Sequence, residues 1–376
     1  MRHVYVHVPF CRRRCVYCDF SIAVRREVPA ARFVAALRRE IDMRISGGLT
    51  LDEALDTIYI GGGTPSLLPP ESIAEIVRLV RDAAGGRLAA DAEITLEANP
   101  EDVTPDVAEA WVSGGVNRVS LGAQSFQASV LEWMHRPHGA DATARAVRAL
   151  RQEGIHAISL DLIFGVPDDA GADFAADLDR AVALAPEHLS VYGLTVEPRT
   201  PLGRRVTRQT VTPAPDERQA EEFLLAHDRL SSAGLEHYEV SNYASRGARS
   251  RHNSAYWILR SYLGLGPAAH SFGGGVRSWN VGPWAAYERA VAGGFDPTEG
   301  REVLTAEQAR LERAYLGLRT AEGADLGDLA WPSAAGSRAL AAGWLSLQGD
   351  RVRLTPAGWL RLDSLAQALT TGTRSG

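Results

Sequence analysis

The chain opens on an alternation. Val4, Val6 and Val8 are apolar, and Tyr5 and His7 stand between them. A period of two with β-branched residues predicts a strand buried on one face. Pro9 ends it. Further on the period changes to about 3.6, and Phe33, Leu37, Ile41 and Ile45 share one stripe of a helix predicted over 29–45. The two periods then take turns. Strands are predicted at 57–60, 94–97, 118–121, 159–163 and 189–194, with helices at 72–82, from Pro105 onward, and at 140–153, 172–184 and 214–232. Thr104 supplies the N-cap for the helix opening at Pro105, and Gly154 closes the one over 140–153. Such alternation predicts βα units and a parallel sheet.

Six units fit either a doubly wound open sheet or three quarters of an eight-unit barrel. The run Gly61-Gly62-Gly63-Thr64-Pro65 after the second strand lacks the G-x-G-x-x-G spacing of dinucleotide folds, which weakens the first option. Beyond about residue 240 the character changes. Residues 246–260 are polar and aromatic, and 264–275 are glycine-rich. Helical spacing returns from Thr305 through Leu311, Tyr315 and Leu318. A hairpin is expected over 345–354 around Gln348-Gly349-Asp350, then a helix from Pro356. The expected organisation is a core over 1–240, a connecting region packed on it over 241–300, and a small helical, winged-helix-like domain over 301–376. There is no internal repeat and no low-complexity tract.

Composition narrows the class. With 376 residues the chain can bury a full core. Apolar residues make up 45 %, charged residues 23 %, and the net charge is −6. No basic excess marks a nucleic-acid binder, so the small C-terminal domain is expected to pack or act as a lid. No run of about 18 apolar residues predicts a membrane span, and the N-terminus does not read as a signal peptide. Three clustered cysteines with no others suit a reducing compartment. A soluble cytoplasmic enzyme or carrier is expected.

The chemistry concentrates on those cysteines. Cys11, Cys15 and Cys18 form C-x3-C-x2-C on the loop after the first strand, the end at which parallel α/β folds bind ligands. A disulfide would be strained at this spacing and would leave one thiol over. A structural zinc site could recruit His7, although such sites usually join two separated ligand pairs. An iron–sulfur cluster suits soft thiolates, and three cysteines on four irons leave one iron open. Other polar groups end or flank strands: Glu97 in TLEANP, Gln124 in SLGAQSF, Arg136 in MHRPH and Asp161 in SLDLIFGVP. Alone, the glycine run reads as a tight βα turn and Glu97 as a solvated rim residue; converging at strand ends, such groups could form a site.

C-x3-C-x2-C after a first strand, with aromatic Tyr17 before the last cysteine, resembles the radical S-adenosylmethionine (SAM) proteins. YVHVPFC, CVYCDF, IGGGTPSLL, LEANP, SLGAQSF, LDLIFGVP, VYGLTVEPRTPLG and YLGLGPAAH extend the resemblance to the HemN/HemW branch over nearly the whole chain. That branch holds oxygen-independent coproporphyrinogen III oxidases and HemW-type heme chaperones. The resemblance implies a partial (β/α)6 barrel and a [4Fe-4S] cluster on Cys11, Cys15 and Cys18. It also implies a SAM site lined by Tyr5, Tyr17, Gly62, Gly63, Thr64, Glu97, Gln124, Arg136, Asp161 and Thr195.

Three features lean toward the chaperones. The oxidases carry a further cysteine two residues after the third, where this chain has Phe20. They also carry an N-terminal extension, whereas the first cysteine here is residue 11. Residues 252–257, His-Asn-Ser-Ala-Tyr-Trp, match the HNxxYW motif of HemW-type proteins, which implies heme binding by His252, Asn253, Tyr256 and Trp257. Imidazole is a common axial ligand of heme iron, and Tyr256 and Trp257 could offer flat faces to a porphyrin. The structural alternative is that His252 and Trp257 only anchor a loop. His270 is a second candidate ligand or a cavity-lining residue. The implied partners are heme and apo-hemoproteins of the respiratory chain, with room for homodimerisation and peripheral membrane contact. The competing expectation is the oxidase, and a colourless zinc-stabilised barrel is a third.

Overall fold

The computed structural model describes residues 1–51 and 53–371. Six strands, β1 (His3–Val8), β2 (Leu55–Gly62), β3 (Leu88–Ala98), β4 (Arg118–Gln124), β5 (Ala157–Phe164) and β6 (His188–Gly193), run parallel in chain order. Between and after them lie α1 (Ala30–Ser46), α2 (Pro70–Ala83), α3 (Pro105–Ser113), α4 (Ala142–Gln152), α5 (Phe174–Ala183) and α6 (Asp216–Ser232). The strand order never reverses. Right-handed crossovers therefore put every helix on one side, and the sheet curls into a partial barrel. A doubly wound sheet would need a switch point, and these six strands have none.

The alternation in β1 has a cause other than a solvated face. Val4, Val6 and Val8 are fully buried in the core shared with Phe33, Leu37 and Ile41 of α1. Tyr5 and His7 face the barrel interior, where Tyr5 stands 6.0 Å from the Tyr59 ring. Both faces are buried, and they differ in polarity. The same phase places buried Thr57, Thr95, Ser120, Ser159 and Ser190 inside the barrel. The caps fall where the sequence puts them: the Thr104 side chain accepts the Val107 N–H, and Gly154 has φ +89°.

After α6 the chain adds to both sheet edges. β7 (Glu236–Glu239) and β8 (Asn242–Ala244) run antiparallel beyond β6. A short helix, α7 (Arg251–Trp257), leads to β9 (Tyr262–Leu265), which lies parallel beside β1. β10 (His270–Gly273), β11 (Val276–Asn280) and β12 (Thr298–Val303) continue the sheet antiparallel, so the glycine-rich stretch contributes strands to it. Between β11 and β12, α8 (Trp284–Ala292) packs against α1.

The C-terminal part opens with α9 (Ala306–Leu318), capped by a Thr305/Gln308 capping box. The hairpin β13 (Leu345–Gln348) and β14 (Arg351–Leu354) turns at Gly349, whose φ is +61°. This helix-and-hairpin arrangement is the expected winged-helix-like domain.

Candidate functional site

The C-terminal ends of β1–β6 and their loops enclose a cavity of about 480 Å³, and Cys11, Cys15 and Cys18 all line it as free thiols. The cysteine loop is held at its base and its middle. Phe10–Cys11 pairs with Ala23–Val24, the Ala23 N–H donates to Pro9 O at 2.7 Å, and the Arg25 N–H donates to Cys11 O at 2.9 Å. Val16 is fully buried, and its carbonyl accepts the Leu202 N–H at 2.8 Å. Tyr17 packs beside Val130, Met134, Leu194 and Leu202. The aromatic residue before Cys18 is thus the anchor of the loop.

Burial pushes the Cys11 thiol up to about 11, although the Thr64 hydroxyl donates to its sulfur at 3.4 Å, and burial raises Cys18 as well. Thiolates in such a place need a positive partner, which a metal centre provides. Among the described residues no three or more His, Cys, Asp or Glu side chains stand ready-grouped around a metal ion.

Arg136 stands next to them. It donates to Cys15 Sγ at 3.6 Å, and to Asn99 Oδ1 and Gly122 O at 2.7 Å each. Opposite are two carboxylates. Glu97 accepts from Tyr59 OH at 2.8 Å and from the Gly62 N–H at 2.9 Å. Asp161 accepts from Ser120 Oγ at 3.1 Å, and burial together with the Glu97 charge pushes its carboxyl up to about 7. One fixed cation facing two carboxylates can recognise a zwitterion. The glycine run serves packing as well as the cavity. Gly62 has φ +114°, and a Cβ there would lie 2.6 Å from the His7 ring; one on Gly63 would lie 2.7 Å from Phe10 O.

The cavity gathers Tyr17, Gly62, Gly63, Thr64, Glu97, Gln124, Arg136, Asp161 and Thr195 around the cysteines. Tyr5 lies outside its lining, deeper in the barrel, with its OH 3.0 Å from His7 Nδ1. Sequence reasoning passed over Asn99, although LEANP contains it, and over Tyr59 and Tyr192, which share the inward phase of their strands.

The HNxxYW residues lie at the other end of the barrel, level with the first residues of β1 and β2. His252 is 1 % exposed. Its Nδ1 is 2.7 Å from Thr57 Oγ1 and its Nε2 is 2.7 Å from Tyr256 OH. The backbone N–H groups of Arg251 and His252 both donate to the Glu93 carboxylate at 3.0 Å. The Asn253 N–H donates to Ser250 Oγ, the N-cap of α7, at 3.3 Å. Tyr256 stands edge-on to His252 and to Tyr262, and the Arg319 guanidinium covers Trp257 at 4.7 Å. His270 is exposed, stacks on Trp279 and does not line the cavity.

Comparison with known proteins bears on this arrangement. The Radical SAM superfamily model matches residues 5–181, and the HemN C-terminal domain matches 304–361. The heme chaperone HemW of Mycobacterium tuberculosis is 38 % identical over 371 residues, 97 % of this chain and 94 % of that protein. The chain belongs to the HemW family. The HemW proteins of Bacillus subtilis and Escherichia coli are 34 % and 40 % identical, over 86 % and 71 % of this chain and 84 % and 69 % of theirs. Among solved structures, E. coli coproporphyrinogen III oxidase (HemN), a radical SAM enzyme, superposes with a TM-score of 0.81 at 21 % identity, covering 98 % of this chain and 89 % of that one. The fold is therefore the radical SAM partial barrel with a smaller HemN-type C-terminal domain. Membership of this superfamily implies a [4Fe-4S] cluster and SAM, and the cysteine-lined cavity fits both. Among the described residues of this HemW-family chain, no helix is long and apolar enough to cross a membrane.

Proposed function

We propose that this protein is a heme chaperone, which binds heme and passes it to apo-hemoproteins such as respiratory-chain subunits in the cytoplasm. The observation that carries the reading is the match to the HemW of Mycobacterium tuberculosis over 94 % of its length, with the HNxxYW residues in place. In this reading Cys11, Cys15 and Cys18 each hold one iron of the cluster. The cluster, when bound, supplies an electron and an open iron to SAM. Gly62, Gly63 and Glu97 would hold SAM in the cavity, and Arg136 would hold a negative group beside Cys15. Homodimerisation and peripheral membrane contact belong to the same reading.

The competing activity is oxidative decarboxylation of coproporphyrinogen III, which the shared HemN fold favours. Against it, Phe20 lines the cavity mouth where the oxidases place a further cysteine, and it is 61 % exposed. The test is anaerobic reconstitution of the cluster followed by two assays on one sample. Stoichiometric heme binding with no decarboxylation supports the chaperone. Steady production of protoporphyrinogen from coproporphyrinogen III, SAM and a reductant overturns it.

A further inference from the structure

The HNxxYW histidine is sealed, and the groups that seal it are specific. An axial ligand must turn a nitrogen lone pair toward iron and clear a flat face as wide as the macrocycle. His252 does neither. Both ring nitrogens are engaged, by Thr57 and by Tyr256, and the Tyr59 ring lies 5.1 Å away at a 30° tilt. Burial pushes its pKa down to about 3, so the ring is neutral and chemically able to ligate once it is reached. The obstacle is access.

Two observations show that this closed arrangement is not fully satisfied. Trp257 Nε1 and Arg319 Nε are buried and find no hydrogen-bond partner among the described residues. Leu259, just after α7, has φ +53°, a left-handed conformation that costs a leucine about 1 kcal/mol. The segment that must move is short: α7 has seven residues, and Ile258 after it is 64 % exposed. The Thr57 hydroxyl on the ring and the Glu93 carboxylate on two backbone N–H groups fasten it to the barrel floor from inside, and the partly exposed Arg251 guanidinium adds an ion pair with Asp91.

We propose that Thr57 and Glu93 are positioning residues that latch His252 shut, and that heme reaches the imidazole only when Arg251–Trp257 lifts off the barrel floor. The inference rests on the chaperone reading above. Lifting frees Nδ1 from Thr57 and uncovers the rings of Tyr256 and Tyr262, while Tyr256, on the same helix, travels with the ring. Thr57 Oγ1 is also 3.0 Å from His3 Nδ1, so one hydroxyl ties the helix to β1 as well as to β2.

The test uses the full chain with its cluster reconstituted. Stopped-flow heme binding is measured for wild type, Thr57→Val, Thr57→Ser and His252→Ala, and hydrogen exchange is followed at the amides of residues 251–257. Losing one buried hydrogen bond is expected to speed heme capture and amide exchange by about tenfold in Thr57→Val. Thr57→Ser, which keeps the hydroxyl, should return both to the wild-type rate. His252→Ala should lose the histidine-ligated heme bands. Unchanged exchange and capture in Thr57→Val would overturn the latch, as would a His252→Ala variant with wild-type bands and rate. Exchange needs no heme: if wild type binds none, the chaperone reading falls, while the exchange data still decide whether the hydroxyl holds the helix.

Discussion

At the scale of single residues, the barrel interior is a column of polar and aromatic side chains that hold one another, and Asp161 is sharply tuned by them. Burial and the Glu97 charge raise its carboxyl to about 7, outweighing Ser190, Ser120 and Arg136, which pull the other way. A free aspartate ionises near 3.9. Between about pH 4 and 7, then, the unfolded chain is charged at this position while the folded chain keeps its proton. Stability falls as pH rises through that window and levels off above it. Asp161→Asn removes this dependence, so in the ligand-free protein its stability should gain on wild type from pH 4 to 7 and hold a constant difference beyond. Urea unfolding across pH measures it; curves that stay parallel would refute the assignment. Glu97 and the cysteines were legible because they end or follow strands in a parallel fold, and Asp161 because it is a lone carboxylate in an apolar strand. Tyr59 and Tyr192 were not, since nothing in a strand's alternation says whether its polar phase meets water or a lumen.

At the scale of elements, the βα units could be read because each keeps one period long enough to count. The edge strands β9–β12 could not. They are short, rich in glycine and mixed in polarity, and their place comes from tertiary contacts. Glu40 is the clearest of these contacts. It sits one residue before Ile41 on the buried face of α1, fully enclosed, and accepts from Gly266 N at 2.8 Å, Asn280 Nδ2 at 2.7 Å, Tyr287 OH at 2.6 Å and Arg44 at 2.7 Å. One carboxylate thus ties α1 to the loop after β9, to β11 and to α8. Glu40→Ala strands three neutral donors and a cation, and should cost about 4 kcal/mol. Glu40→Gln keeps one acceptor oxygen and should cost about half as much. Thermal and urea unfolding of the two variants check the order. Equal losses would mean that packing, not hydrogen bonding, makes the joint.

At the scale of the whole molecule, the C-terminal domain meets the barrel beside the HNxxYW helix, and Arg319 is the hinge of that contact. Its carbonyl accepts the Val240 N–H at 3.0 Å, and its guanidinium lies over Trp257 and 3.6 Å from the Glu239 carboxylate, which is fully buried. Burial already pushes Glu239 toward the protonated form, and Arg319 opposes that push. Removing the cation should leave a buried carboxylate short of its partner. Because Arg319 still touches solvent, Arg319→Met is expected to cost about 2–3 kcal/mol, near the lower end for breaking a buried pair. Methionine keeps apolar contact with Trp257, so the loss reports charge more than packing. The sign of the pH dependence follows. With its carboxyl raised further, Glu239 in the variant keeps its proton to higher pH, so the deficit should shrink toward pH 5 and grow toward pH 8. Glu239→Gln in the same background should recover most of the loss at pH 8 and little at pH 5. A deficit that ignores pH, or that the second substitution does not relieve, would assign the domain contact to the Trp257 face rather than to the ion pair.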